Sequence, residues 1–406
     1  MITMRTSPHA VDFGDVRATN LAVVLRHVRA NGPCSRADIA AATGLNKATV
    51  SSIVGDLIRR RLLRETGPSG HRIGRPAIML ALDGEPYAAI GIAVGSDHLT
   101  AMAVDLPGTC LLSWHRSFAE HAASPGLAVA AISTLARRAA ARVTSQGRYV
   151  LGLTVGVPGL VDGDGVVRRS PTLGWRDMDL RGELVTALRQ PGYAIAVDNE
   201  ANLAVLAEQR YGPYPEATNL AYLTGGASIG AGVVVDGRLL RGNRGFSGGI
   251  GHIQVLPDGP ACVCGRRGCL EALAGVPALI RRALPDLDVD VSLALDIQEI
   301  VRRAKAHEPA TLDALAETGR WLGYGASLLA NIVNPEVVIL GGYFAPLTPW
   351  LLATVEAELA VRTVAPQAGG CRIAPATLGT ESSALGAAAR ILDHIDAGHL
   401  PELPDD

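Results

Sequence analysis

The chain has 406 residues, 48% hydrophobic and only 4% aromatic, with a formal net charge of −2. It is too long for one compact core and apolar enough for several, so a disordered chain and a single small domain are both excluded. No apolar run reaches the length of a membrane span, residues 1–14 are mixed and polar, and six unevenly spread cysteines do not make a disulfide scaffold, so a cytoplasmic setting is expected.

The charge is divided unevenly. Residues 1–80 hold twelve Lys/Arg against five Asp/Glu, a net of +7, which leaves 25 against 34, or −9, for the remainder. A basic head on an acidic body points to a head that meets a polyanion. Leu21, Val24, Leu25 and Val28 recur at i, i+3, i+4 and i+7, one apolar stripe of a first helix. Ser35 starts a second helix, with Asp38 at its third position and Ile39 and Ala42 facing inward. Thr43-Gly44-Leu45 makes a turn, and Asn46 caps a third helix whose Val50, Ile53, Val54 and Leu57 form the next buried stripe.

That stripe leaves Lys47, Thr49, Ser51 and Ser52 outward at the start of the third helix, where a recognition helix reaches base edges. Arg59, Arg60 and Arg61 lie further along and are expected at phosphates. The stretch 67–76, rich in Gly and basic residues, reads as a wing, with Arg75 held extended by Pro76 and able to enter a minor groove. For any one arginine a solvated surface charge is an equal reading. The set as a whole predicts a winged helix-turn-helix over residues 1–80, with double-stranded DNA as its partner.

Beyond Tyr87, β-rich runs alternate with helical stretches. Residues 88–94, 100–104, 150–155, 194–197, 220–223 and 337–340 read as strands, and 128–143 and 312–333 as helices. This alternation predicts α/β layers. Gly156-Val-Pro-Gly159, the run Gly225–Gly232 and Gly341-Gly342 follow strands; such turns let backbone N–H groups approach phosphate, or are simply tight turns. In Asp198-Asn199-Glu200-Ala201-Asn202, Asp198 or Asn199 is positioned to cap a helix over 201–208.

His252 precedes Cys262-Val-Cys264-Gly-Arg-Arg-Gly-Cys269-Leu-Glu271. Three cysteines and a histidine form a tetrahedral set for structural zinc, and Gly265 and Gly268 permit the turns that aim the sulfurs at one point. With all four positions supplied by protein, the metal would brace the loop and hold no reactive water. The alternative is buried thiols or a disulfide.

These segments together resemble the ROK family (repressors, open reading frames and kinases) within the actin-like ATPase superfamily, and most closely its repressor branch. The most specific match is Gly242-Asn-Arg-Gly-Phe-Ser-Gly-Gly249-Ile-Gly-His252 through Cys262, Cys264, Cys269 and Glu271. Gly156–Gly159, Asp198–Asn202 and Asn334-Pro335 before Gly341 support it. The resemblance implies an α/β chain, a winged helix-turn-helix followed by a two-lobed sugar kinase-like domain. The first lobe is expected over 84–198 and the second over 199–398, with the C-terminal helix returning to the first. It also implies a carbohydrate-like effector in a cleft between the lobes, and a homodimer or higher homo-oligomer. Asn199, Glu200, His252 and Glu271 are the implied ligand contacts, His252 with one ring nitrogen on zinc and the other facing the sugar.

Three departures from the family pattern bear on activity. The acid that helps organise Mg²⁺ and ATP phosphates is replaced by Ala93, and the second phosphate turn reads Gly226-Ala227-Ser228 instead of Gly-Thr-Gly. Alanine supplies no charge for phosphoryl transfer. Glu200 stands where the family's catalytic Asp is expected, its carboxylate displaced by about 1 Å or more by the extra methylene. Gly249 replaces a Glu that accepts sugar hydroxyls. A non-enzyme is therefore expected, a DNA-binding regulator and repressor. Its effector is a bulkier or anionic sugar derivative, or is absent and replaced by a protein partner. The alternative is a carbohydrate kinase with an accessory DNA-binding head.

Overall fold

The computed structural model describes residues 13–68, 77–122, 124–285, 293–364, 366 and 370–401. Three helices, Phe13–Asn31, Arg36–Thr43 and Lys47–Arg59, build the head. Ser35 and Asp38 form a reciprocal capping box, and Gly44 ends the second helix in the left-handed conformation at φ 71°. Asn46 Oδ1 accepts from Thr49 N at 2.8 Å, starting the third helix where its sequence predicts. Leu21, Val24, Leu25, Val28, Ile39, Val50, Ile53, Val54 and Leu57 bury together. Ala42, expected inward, is exposed; Ile39 is the buried anchor of that short helix. Leu63–Pro68 pairs antiparallel with Ile78–Leu82, and Cys34–Ser35 adds a short third strand. The wing tip at 69–76, including Arg75, lies outside the described residues.

No free linker separates head from body. The strand Ile78–Leu82 runs past residue 80, Asp83 N donates to Leu62 O at 3.0 Å, and Tyr87 Oη donates to Arg60 O at 2.7 Å. Leu25 and Leu80 share one apolar cluster with Tyr87, Val104, Leu392 and Ile395. Each fully buried side chain of this kind contributes about 1.5–3 kcal/mol, so the junction is a core in its own right.

The body contains two five-stranded sheets. The first runs in the order 194–199, 149–157, 87–94, 98–104, 110–117, and the second in the order 238–239, 229–235, 220–225, 337–342, 372–375. Helices Glu200–Tyr211 and Ser382–Asp396 pack on each other, the former against the second sheet and the latter against the first. Two glycines allow this approach: a Cβ on Gly91 would stand 2.0 Å from Ala384 O, and one on Gly386 would stand 1.8 Å from Leu203 O. The C-terminal helix therefore returns to the first sheet, although it follows the second in sequence. No helix among the described residues is long and apolar enough to cross a membrane.

Candidate functional site

The strand Ala194–Asn199 ends as the helix Glu200–Tyr211 begins, which brings Asp198, Asn199 and Glu200 to the seam between the sheets. Asn199 is the cap: its Oδ1 accepts from Ala201 N at 2.8 Å and Asn202 N at 3.2 Å, and its Nδ2 donates to Gly159 O at 2.7 Å. Asp198 turns inward and is buried. It accepts from Asn199 N, from Asn202 Nδ2 at 3.2 Å, from Arg241 Nη2 at 2.7 Å and from Arg390 on the C-terminal helix. Burial pushes its carboxyl up, but Arg241 and Arg390 prevail and hold it below the ordinary carboxylate range.

A cavity of about 310 Å³ lies between the lobes, lined by Asn199, Glu200, Thr224, Ser228, Gly249 and His252, with Arg169, Cys264 and Arg266 on its outer wall. This volume suits a small ligand. Glu200 also lines a neighbouring narrow cleft with Ala93, Gly95, Asp97, His98 and Ala227. Burial raises the Glu200 carboxyl to about 7, only partly opposed by His98, so near neutrality it both donates and accepts. In the narrow cleft Ala93 contributes no ligand, and Asp97 Oδ1 sits 2.6 Å from His98 Nδ1.

The predicted metal set converges. Ligand atoms of His252, Cys262, Cys264 and Cys269 all lie within 4.8 Å of one another, and all six cysteines of the chain are free. Cys264 Sγ and Cys269 Sγ are 3.7 Å apart, and Cys262 Sγ is 3.7 Å from His252 Nδ1. Two thiolates on one tetrahedral zinc, each at about 2.3 Å, stand roughly 3.8 Å apart, so the cage fits that ion. His252 also lines the cavity; burial, then Arg266 and Arg169, lower its pKa and favour the neutral imidazole a metal requires. Glu271 differs from expectation. It is buried behind the wall, with Oε2 accepting from Ile229 N at 3.0 Å and Oε1 3.8 Å from Cys262 Sγ, and it does not line the cavity. It joins the cysteine loop to the strand Ile229–Val235.

On the head, Lys47, Ser51 and Ser52 are exposed on one face and Thr49 is half-buried. Arg59 is exposed beside Asp56, at 3.1 Å. Arg60 departs from the expected phosphate contact: its Nη1 donates to Pro401 O at 2.8 Å, because the helix ends there and the chain turns toward the body. Arg61, at φ 53°, leans toward Asp83. The residues that sequence reasoning missed are Arg169, Arg241 and Arg390. They lie 29 or more positions from the Asp198–Asn202 run and carry no local motif. Arg266 was visible inside the cysteine loop but had no assigned part.

The two sheets with helices wedged at their seam define a sugar-kinase-like actin fold behind a winged-helix head. The chain belongs to the ROK family, whose model matches residues 89–394. A model described as MarR family matches residues 22–73, within the head. The xylose repressor of Bacillus subtilis (strain 168) is 30% identical over 379 residues, 93% of this chain and 96% of that protein. A crystal structure of a ROK family transcriptional regulator, a homolog of the E. coli MLC protein, superposes with a TM-score of 0.80 at 25% identity, covering 95% of this chain and 98% of that one. A ROK family glucokinase from Streptomyces griseus, in complex with glucose and AMPPNP, gives a TM-score of 0.65 at 27% identity over 75% of this chain and 98% of its own.

Proposed function

We propose that this chain is a DNA-binding transcription regulator, a repressor, whose hold on DNA is controlled by a sugar or sugar-derived ligand in the cleft between the lobes. The observation that carries this reading is the path from cleft to head. Asp198, next to the cleft residue Asn199, pairs with Arg390 on the C-terminal helix; that helix ends at Asp396, which pairs with Arg29 of the first head helix and with Arg210. A ligand that moves the seam between the lobes therefore pulls on the element that seats the head.

Winged-helix readers meet paired half-sites at fixed spacing, so the active form is a homodimer or higher homo-oligomer, and ligand favours a state in which the heads no longer match that spacing. Lys47, Thr49, Ser51 and Ser52 face base edges, Arg59 meets phosphate, and Arg75 enters the minor groove beside the wing. Asn199, Glu200 and His252 hold the ligand. Zinc on His252, Cys262, Cys264 and Cys269 braces the wall that carries His252, without taking part in chemistry. Ala93 in the neighbouring cleft, which supplies no charge for a metal or phosphate, supports loss of phosphoryl transfer.

The test maps where the full-length protein binds the genome, then titrates a mapped site by fluorescence anisotropy with and without candidate sugars. Tight binding weakened by one sugar supports the reading. Indifference to duplex DNA at moderate salt, or ATP turnover with a sugar, contradicts it.

A further inference from the structure

We infer that the ligand of this cleft is an anion, a monosaccharide bearing a carboxylate or a phosphate ester, held at its charged end by Arg169 and Arg266. The inference rests on the reading of the cleft as an effector site and adds the class of ligand and two specificity residues.

Both arginines lie on the cysteine-loop wall of the 310 Å³ cavity. Arg169 comes from the strand Val167–Ser170, and its Nη2 donates to Cys264 O at 3.3 Å. Arg266 sits two residues along the same loop and is exposed at the cavity rim. Two arginines from separate segments thus line one cavity. Among the described residues neither meets a carboxylate, whereas the adjacent Arg168 pairs with Asp162 at 2.7 Å and Arg241 with Asp198. Guanidinium is planar and multidentate, and it matches carboxylate and phosphate oxygens geometrically.

Apart from the cysteine cage, little on the lining offsets this charge. Among the described lining residues Glu200 is the only carboxylate, and it is next in sequence to Asn199. Asp198 behind it is already engaged by two arginines. Position 249, where an acid is expected from the resemblance, is glycine; a Cβ built there meets nothing within 4 Å. The wall therefore lacks the hydroxyl acceptor suited to a neutral sugar and offers open space beside two cations. The hydroxyl-reading groups, Asn199, Glu200 and Thr224, remain for the sugar ring.

A competing role for the arginines is to offset the cage itself, since three thiolates on one Zn²⁺ leave a net charge of about −1. The experiment separates these roles. The full-length protein, its zinc content measured, is screened by thermal shift and calorimetry against matched probes: glucose, glucuronate, glucose 1-phosphate and glucose 6-phosphate, and N-acetylglucosamine with its 6-phosphate. The inference expects an acid or a phosphate to bind at least tenfold more tightly than its neutral parent. Arg169→Gln and Arg266→Gln should each reduce that affinity tenfold or more at unchanged zinc content, and Gly249→Glu should shift preference toward the neutral sugar. Glucuronate against the phosphates tells carboxylate from phosphate ester.

A neutral parent that binds as well as its anion, and releases DNA, overturns this inference and leaves the effector reading standing. Silence from every probe, neutral and charged, overturns both. Arginine variants that lose zinc but keep the ligand preference show that the pair serves the cage, and overturn the inference as well.

Discussion

Arg29 Nε lies 2.7 Å from Asp396 Oδ2, and Arg29 Nη2 lies 2.9 Å from Asp396 Oδ1, a two-pronged ion pair between the first helix of the head and the end of the C-terminal helix. Arg29 also donates to Leu106 O at 2.7 Å, and Asp396 also accepts from Arg210 at 2.9 Å. The pair is mostly buried: Arg29 Nη1 and Nη2 and both Asp396 carboxylate oxygens have hydrogen-bond partners, while Arg29 Nε has only its charge contact with Asp396. Four separate segments meet at this point.

Removing one member of a buried pair leaves the other uncompensated, at a cost of about 3–5 kcal/mol. Asp396→Ala is expected to lower the unfolding midpoint clearly, and Arg29→Met combined with Asp396→Leu to recover part of the loss. Asp396→Asn, which keeps shape without charge, should retain ligand binding while reducing the ligand's effect on DNA affinity. Calorimetry and anisotropy on the same preparations check all three variants.

Glu200 supplies a pH dependence. Its folded pKa, about 7, lies above the ordinary glutamate value of 4.5, so between these values the native state holds a proton that the unfolded chain has released. Its contribution is fully present below about 4.5, falls as pH rises through about 7, and is flat beyond. Glu200→Gln should remove this slope, at most about 3 kcal/mol at full span. Denaturant titrations of both proteins from pH 4.5 to 8.5 give the difference directly.

Arg59 and Arg60 are adjacent in sequence and differ in surroundings. Arg59→Ala is expected to weaken DNA binding on all sequences and to lower the salt slope by about 1. Arg60→Ala removes the bond to Pro401 O and should reduce thermal stability, leaving that slope unchanged. Affinity measured from low to moderate salt distinguishes them.

Cys264→Ser should release zinc, lower the unfolding midpoint and weaken ligand binding, since the wall bearing His252 loses its brace. Metal analysis alongside thermal unfolding checks this. Unchanged metal content and stability would contradict a bracing role.

Much of this architecture is legible in local sequence. The capping box at Ser35, the left-handed Gly44, the Asn46 cap and the apolar stripes are short-range signals, and the structure carries each of them. The cage is legible because three of its ligands fall within eight residues. Ala42 was misplaced because a two-turn helix leaves its stripe underdetermined. For Glu271 the motif gives its neighbours and not the side of the wall to which its carboxylate turns; the structure turns it toward Ile229 N. Arg60 reads like Arg59 until Pro401, 341 positions away, comes beside it. The partnership of Asp198 with Arg390 spans 192 positions and depends on the C-terminal helix returning to the first sheet, which no local pattern encodes.

The most direct measurement is anisotropy of the full-length protein on a mapped operator, with saturating ligand and without it. The wild-type chain should lose at least tenfold in DNA affinity when ligand is present, and Asp396→Asn should lose much less while binding that ligand equally well. Equal DNA affinity of the wild-type protein with the cleft empty and with it filled would contradict control of the head by the cleft.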